Sequence, residues 1–355
     1  MKKAVSLLLC FVILCMELAT AAFAEDAKVS LETIEGIMQN NSAELKKLAA
    51  DLKDAESDYS DNYRMVESLK KLNAEGPSAE LTSQYLSYKK YRDDANIYYL
   101  TLKMQYQNAV QLKVLAAKQL YLGYNLDLKE EGAALKQLEY KKQEIAANGA
   151  RLKAGYITKN EYDAASTDLK ASEDLAETKK QETAKDLLSL KTALGMSDAD
   201  KAEIAPASVD ETAFSKIPEI SFEKDSAEML SKNAAVLAKQ AALEIRQTAT
   251  VKDYSKIDVF KVDIEQAKNS AAIDFRAQYD ALSEAYRAYL TAASALGVRE
   301  AAYKNGQTLY QYGYLSRLGL NGLELSFDRA ETDLGGIKNT LYCAYLRYLQ
   351  MKNGG

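Results

Sequence analysis

Few side chains in this chain of 355 residues could carry chemistry. There is no His, which excludes Ser-His and Cys-His nucleophile pairs and imidazole-bound zinc. Acidic residues do occur together, at Asp93-Asp94 and Glu130-Glu131, but neighbours on a helix point about 100° apart and do not converge on one proton. Cys343 lies in an apolar stretch, which favours burial over reactivity. The sequence therefore predicts no catalytic residue, no metal site, no cofactor and no enzyme.

The composition indicates the fold class. Apolar residues make up 47% of the chain, and only 3 Pro and 16 Gly are present, so long uninterrupted helices are expected. The predicted class is all-α. The formal net charge is −5, with both signs mixed along the chain and no basic stripe, so nucleic acid is not an expected partner.

The first 24 residues have the pattern of a signal peptide. Lys2 and Lys3 precede an apolar run, and Ala22 and Ala24 are the small residues that a signal peptidase requires. We expect cleavage after Ala24, export, and a location in the cell envelope, either the periplasm or the outer membrane. After cleavage Cys343 is the single remaining cysteine, so no internal disulfide is expected.

The three prolines predict where the chain turns, because proline inside a helix costs about 3 kcal/mol. Pro77 marks a hairpin tip between two long helical patterns. Pro206 and Pro218 bracket a stretch without helical periodicity. We therefore expect a first helical repeat at 25–195, a linker at 196–221 and a second helical repeat at 222–355.

Long helices with narrow apolar stripes fill both repeats. From Glu80 to about Lys153 the chain has no proline, which predicts one helix roughly 100 Å long. Apolar residues alternate at three and four positions, as in antiparallel coiled coils, and only Arg92 interrupts the alternation. They are Leu81, Tyr85, Tyr88, Ala95, Tyr99, Leu102, Tyr106 and Ala109 in the first repeat and Ile257, Phe260, Ile264, Ala267 and Ala271 in the second.

Tyrosines also occur away from this stripe, at Tyr91, Tyr98, Tyr121 and Tyr124. Two interpretations are open for them. Their rings can fill helix contacts while the hydroxyls remain in water, or they can line a ligand channel.

An internal repeat is the strongest signal. Gly155-Tyr156-Ile157-Thr158-Lys159 recurs 158 residues later as Gly313-Tyr314-Leu315-Ser316-Arg317, without a gap. Glycine permits the left-handed conformation that ends a helix, and Thr158 with Glu161 forms a capping box that opens the next one. Ser316 supplies the same cap without the glutamate, since Gly319 stands there. Each motif therefore predicts a tight turn between two long helices.

The two repeat starts also correspond. The segment from Met38 to Leu45 is similar to the segment from Leu230 to Leu237, at an offset of 192. The two offsets differ by 34, so the first repeat has 34 additional residues between its start and its glycine turn.

These motifs resemble those of the outer-membrane efflux protein family, the TolC-like channels. The resemblance lies in the segment from Arg151 to Thr158, in the helix that ends Ala193-Leu194-Gly195, in the repeat start and in the second turn at Gly313. It implies a homotrimer whose helices close into a hollow α-barrel, the exit duct of an efflux pump or type I secretion system. It also implies that the turns dock a periplasmic adaptor, which links the duct to an inner-membrane transporter.

The sequence departs from that family in three ways. Family members insert two β-strands in each repeat, but neither 73–79 nor 251–256 has room for such strands, so we expect a shortened member without the β-barrel. Gly319 and Gly322 stand where family channels often have acidic residues after the second turn. Ser42 and Ala234 replace the usual proline of the repeat start.

Two functions remain open at this point. One is a TolC-like exit-duct component that docks its adaptor through Gly155, Tyr156 and Thr158 on one turn and Gly313, Tyr314 and Ser316 on the other. The alternative is a coiled-coil spacer of the cell envelope that does not transport. A closed trimer with a lumen favours the duct, and a monomer or dimer favours the spacer.

Overall fold

The computed structural model describes residues 27–198, 202–207, 209–248 and 254–354. The predicted signal peptide at 1–24 lies outside these ranges. The described chain is almost entirely helical, and the all-α prediction is confirmed.

The first repeat consists of a short strand, a short helix and three long helices. The elements are β1 (Ala27–Val29), α1 (Ile34–Asn41), α2 (Ala43–Glu75), α3 (Ala79–Lys153) and α4 (Lys159–Ala193). Helix α3 has 75 residues and is about 110 Å long. Helix α2 packs along its first half and α4 along its second half, so one long helix is the spine of two antiparallel hairpins.

The second repeat has the same order with shorter arms. After strand β2 (Ala202–Ile204) and a 3₁₀ helix (Glu211–Glu219), it contains α5 (Phe222–Lys232), α6 (Ala234–Thr248), α7 (Tyr254–Gln311) and α8 (Arg317–Lys352). Helix α7 packs against α6 and α8. Helices α3 and α8 are in contact, which joins the two repeats.

The predicted helical stripes are the packed faces. The eight stripe residues of α3 are all half-buried. In α7, Ile264 and Ala271 are buried, and Ile257, Phe260 and Ala267 are half-buried. Narrow stripes therefore pair helix with helix toward the ends of the hairpins. The buried apolar residues gather in two clusters, one where β1 and α1 meet the middle of α3 and the end of α4, and one where the 3₁₀ helix and α5 meet α7 and the end of α8.

The internal repeat is visible in how the short helices meet the long ones. In the first repeat the side chain of Ser42 caps α2 by accepting from the N–H of Leu45. In the second, the side chain of Asn233 accepts from the N–H of Val236 at 3.1 Å. Gly195, which has a φ of 69°, lies so close to Asn41 that an added Cβ would be 2.9 Å from its carbonyl carbon. Because Gly195 has no side chain, the end of α4 can pack directly against the backbone where α1 meets α2.

The 34 additional residues of the first repeat lengthen both arms of one hairpin. Helix α2 has 33 residues where α6 has 15, and α3 has 75 where α7 has 58. Gly76, Pro77 and Ser78 join α2 to α3, so the predicted hairpin tip at Pro77 is confirmed. At the corresponding place in the second repeat, residues 249–253 lie outside the described ranges.

The segment predicted as a linker, 196–221, carries packed structure. Strand β2 pairs in parallel with β1, and Phe214 and Ile217 of the 3₁₀ helix are buried. Tyr121 of α3 donates its hydroxyl to the carbonyl of Ala205 at 2.9 Å. Of the two interpretations, Tyr121 fits the one in which the ring fills a packing contact, but its hydroxyl is not in water, because the residue is only 1% exposed and is bonded to this segment. Tyr91 and Tyr98, in contrast, are exposed.

A buried polar cluster fastens α5 to the end of α8. Tyr348 donates its hydroxyl to Asp225 at 2.7 Å, and the ammonium of Lys352 lies 2.9 Å from the same carboxylate. Burial opposes ionisation of Asp225, but the bonds from Lys352 and Tyr348 outweigh it and lower the pKa of the carboxyl. These bonds hold the first helix of the second repeat, α5, against the end of its last helix, α8.

No helix in the described part of the chain combines the length and apolar character needed to cross a membrane.

Candidate docking turns

The first glycine turn ends α3 with a Schellman motif. Gly155 has a φ of 77°, in the left-handed region that glycine favours. Its N–H donates to the carbonyl of Leu152 at 3.0 Å, and the N–H of Tyr156 donates to the carbonyl of Arg151 at 2.8 Å. These bonds satisfy the last carbonyl groups of α3 and fix the direction in which the chain leaves the helix.

A capping box then opens α4. The Thr158 side chain accepts from the N–H of Glu161 at 3.3 Å, and the N–H of Thr158 donates to the Glu161 carboxylate at 2.7 Å. The backbone N–H and then the hydroxyl of Thr158 lower the pKa of Glu161 by donating to its charged form. The capping box predicted from the sequence is confirmed.

The second turn repeats this backbone almost atom for atom. Gly313 also has a φ of 77°, its N–H donates to Tyr310 at 3.0 Å, and the N–H of Tyr314 donates to Leu309 at 2.8 Å. Ser316 accepts from the N–H of Gly319 at 3.1 Å. As predicted, the reciprocal carboxylate is missing here, so the second cap has one side-chain bond less.

Each turn presents the tyrosine that follows its glycine to solvent. Tyr156 is 80% exposed and Tyr314 is 81% exposed, and at the second turn Tyr312, directly before Gly313, is also 73% exposed. The residue after each tyrosine, Ile157 or Leu315, is half-buried and holds the turn against the helices. The tyrosines do not cover the helix ends, so these rings are available to a partner.

Polar contacts between α3 and α8 set the relative height of the two turns. Tyr140 of α3 donates its hydroxyl to Glu324 of α8 at 2.6 Å, and Lys136 forms ion pairs with Glu324 and Asp328 at 2.7 and 2.6 Å. Burial, followed by the bond to Glu324, raises the pKa of Tyr140 to about 12. In these pairs the residue number rises along α3 as it falls along α8, so the two helices are antiparallel. Continuing the same register places Ser316, at the start of α8, beside a point on α3 that lies about 10 Å before Gly155. Both turns are therefore at the same end of the molecule.

Gly306 allows α7 and α8 to approach closely beside the second turn, and it was not predicted to be a packing residue. A Cβ at Gly306 of α7 would overlap Leu323 of α8. Gly319 has a local role instead, because a Cβ there would lie 2.7 Å from a methyl carbon of Leu315 in the turn itself. The sequence around Gly306 has no local signal for its contact, because Leu323 lies in a different helix.

The acidic residues and the cysteine first considered for chemistry form ion pairs or are buried. Asp93 forms an ion pair with Arg92, and Glu130 forms one with Lys179 at 2.8 Å. Cys343 is buried, as predicted, and burial raises its pKa to about 11. Among the described residues, no group of three or more Cys, Asp and Glu side chains is arranged to hold a metal ion.

Neither the protein-family models nor the curated proteins include a match to this sequence. Solved structures do match the fold over most of its length. A membrane protein from Pseudomonas aeruginosa has a TM-score of 0.64 at 14% identity, over 95% of this chain and 96% of that one. The outer-membrane channel OprN has a TM-score of 0.59 at 13% identity, over 92% and 90%. The Campylobacter jejuni CmeC outer membrane channel has a TM-score of 0.59 at 11% identity, over 94% and 91%.

Similarity at such low identity concerns the fold, and it agrees with the resemblance found in the turn motifs. The chain has the fold of the TolC-like outer-membrane efflux channels.

Proposed function

We propose that this protein is an exit-duct component of an efflux or type I secretion system. Three copies assemble into a hollow helical tube, and the glycine turns of each copy dock a periplasmic adaptor that connects the tube to an inner-membrane transporter. Export through a cleaved N-terminal signal places the protein in the cell envelope. The observation that carries the proposal is the pair of matched turns in a TolC-like fold, each with a tyrosine about four-fifths exposed.

The turns have the properties of a preformed binding site. Their backbones are fixed by the left-handed glycines and by the side-chain caps, so little conformational freedom is lost on binding. Tyrosine is among the residue types most enriched at binding hot spots. Gly155, Tyr156 and Thr158 form one docking element, and Gly313, Tyr314 and Ser316 form the other.

Self-assembly is supported by the helices themselves. Each hairpin buries a narrow stripe, and helix α7 leaves several branched aliphatic side chains exposed, among them Val262, Ile273 and Val298. These side chains recur at helical spacing on one side of α7, and exposed apolar residues that share a surface mark an interaction site. Three copies arranged in a ring supply such a surface.

The double substitution Tyr156→Ala and Tyr314→Ala tests docking. If each ring contributes at least about 2 kcal/mol, adaptor affinity falls by at least about 30-fold for one ring and further for two. Capture of a purified periplasmic adaptor protein, at matched protein levels, measures the change. Tyr98→Ala is the matched control, because this tyrosine is also exposed but lies on the opposite half of α3. Equal capture by the double variant and the parent would contradict docking through these rings.

A further inference from the structure

A groove between α3, α8 and α7 lies apart from the docking turns. Its volume is about 400 Å³, within the range of small-molecule sites in proteins. Leu122, Leu126, Ala281 and Ala344 supply much of its apolar lining. Gly123 widens it, because a Cβ added there would meet no atom within 4 Å. The groove therefore has room for an apolar group.

Polar side chains gather at one end of this groove. Arg347 of α8 is exposed there, and among the described residues no carboxylate pairs with its guanidinium. Phe275 of α7 stacks on Tyr348 of α8, with ring centroids 5.1 Å apart. Gln278, one turn after Phe275, therefore lines the groove within about one turn of Arg347.

The same end of the groove carries no negative charge. Among the described residues that line it, none is acidic, although the whole chain has a net charge of −5. Cys343, one turn before Arg347, remains a neutral thiol because burial raises its pKa to about 11. The side chain of Gln119 lies beside that thiol. The groove thus offers a ligand one guanidinium and the side-chain amides of two glutamines.

The groove is on the open side of the contact between α3 and α8. On the other side the 3₁₀ helix covers α8, and Lys338 forms an ion pair there with Glu211. Lys338 and Arg347 are nine positions apart, so their side chains leave α8 in opposite directions. In the proposed tube the lumen has to stay open, so the 3₁₀ helix belongs on the outer surface and the groove on the lumen side.

We propose that this groove binds a small amphipathic molecule that has an apolar ring system or chain and one anionic group. The apolar part lies along Leu122, Leu126 and Gly123. The anionic group accepts charge-assisted hydrogen bonds from Arg347, which are stronger than bonds between neutral groups. On the lumen side of the tube, the groove gives transported anions a contact with the wall, and this last step rests on the proposed function.

Two fluorescent probes with the same ring system test the site. 1-Anilinonaphthalene-8-sulfonate has an apolar ring system and a sulfonate, and N-phenyl-1-naphthylamine has the same rings without the charge. Each is titrated into the purified full chain. We expect the sulfonate to bind more tightly than the neutral probe, at about one molecule per chain because each copy has its own groove.

Arg347→Gln isolates the contribution of the charge. Affinity for the sulfonate is expected to fall about tenfold, and affinity for the neutral probe to stay within about twofold. Arg299→Gln is the matched control, because Arg299 is exposed on α7 and does not line the groove. Unchanged sulfonate affinity in Arg347→Gln, an equal loss for both probes, or the same loss in the control would overturn the proposal.

Gly123→Leu isolates the contribution of the apolar part. The leucine side chain fills part of the groove, so both probes are expected to bind at least about tenfold more weakly. Gly132→Leu is the control, because Gly132 also lies in α3 with no atom within 4 Å of an added Cβ but outside the groove. Circular dichroism verifies that both variants fold. Unchanged binding in Gly123→Leu, or an equal loss in Gly132→Leu, would place the probes elsewhere and overturn the site.

Native mass spectrometry of the same samples distinguishes this inference from the proposed function. The groove lies within one copy, so a chain that stays monomeric and binds the probes as expected overturns the tube and leaves the binding site standing. A trimer whose sulfonate binding does not depend on Arg347 overturns the binding site and leaves the assembly standing.

Discussion

Replacing Gly155 by Ala isolates the contribution of left-handed backbone to the first docking turn. A Cβ at this position would meet no atom within 4 Å, so the substitution adds no overlap. What it adds is the cost of holding a non-glycine residue at a φ of 77°. Any effect on the turn therefore comes from the backbone conformation alone.

Two opposing free-energy contributions set the expected effect of Gly155→Ala on the stability of the turn. A left-handed conformation costs an L-residue about 1–2 kcal/mol. Alanine also restricts the unfolded chain, which offsets about 0.4–1 kcal/mol. The net loss of local stability is about 1 kcal/mol, or roughly a fivefold increase in the population of the opened turn.

Hydrogen exchange of the full chain measures that opening. The N–H groups of Gly155 and Tyr156 are bonded to carbonyls of α3 and exchange only when the turn opens. Gly132→Ala is the matched control. Gly132 lies inside α3, also with no atom within 4 Å of an added Cβ, and alanine there is expected to stabilise the helix by about 0.5–1 kcal/mol. Unchanged exchange at the turn in Gly155→Ala, or the same change in both variants, would refute this reasoning.

Three further outcomes are expected. Thr158→Ala is expected to loosen the start of α4 by about 1–2 kcal/mol, and Ser316→Ala to loosen the start of α8 by less, because only the first cap is reciprocal; hydrogen exchange at the two helix starts compares them. Gly306→Ala is expected to cost about 0.5–2 kcal/mol net, because its methyl group displaces the end of the Leu323 side chain while alanine favours the helix by about 0.5–1 kcal/mol, and urea unfolding measures the change against the parent. Burial, followed by a hydrogen bond with Asp186 and its charge, raises the pKa of Asp127 to about 7. The folded chain thus retains a proton that the unfolded carboxyl releases near its ordinary pKa of 3.8, so stability is expected to fall as the pH rises from about 4 to about 7. Asp127→Asn should flatten that dependence in thermal unfolding, and an unchanged slope would contradict the assignment.

The turns could be predicted from the sequence because their determinants are local. A left-handed glycine, a cap residue and the glutamate three positions later lie within seven residues, from Gly155 to Glu161. The single long helix α3 was also predictable, because a long proline-free stretch whose three-four stripe is interrupted only at Arg92 is typical of one continuous helix.

Contacts between distant segments were not predictable. The β1–β2 pair joins two strands of three residues each, too short for an alternating pattern to appear. Tyr121 and Ala205 are 84 positions apart, and Tyr348 and Asp225 are 123 apart. The sequence shows that Tyr121 lies off the apolar stripe of α3. It does not show that the fold places the carbonyl of Ala205 beside the Tyr121 hydroxyl.

Electron microscopy of the purified full chain shows directly whether the protein forms a duct. We expect particles with threefold symmetry, in which helical walls surround a central opening that continues to the end bearing Tyr156 and Tyr314. Single chains, dimers or a solid helical bundle without an opening would contradict the exit-duct proposal and favour a spacer that does not transport.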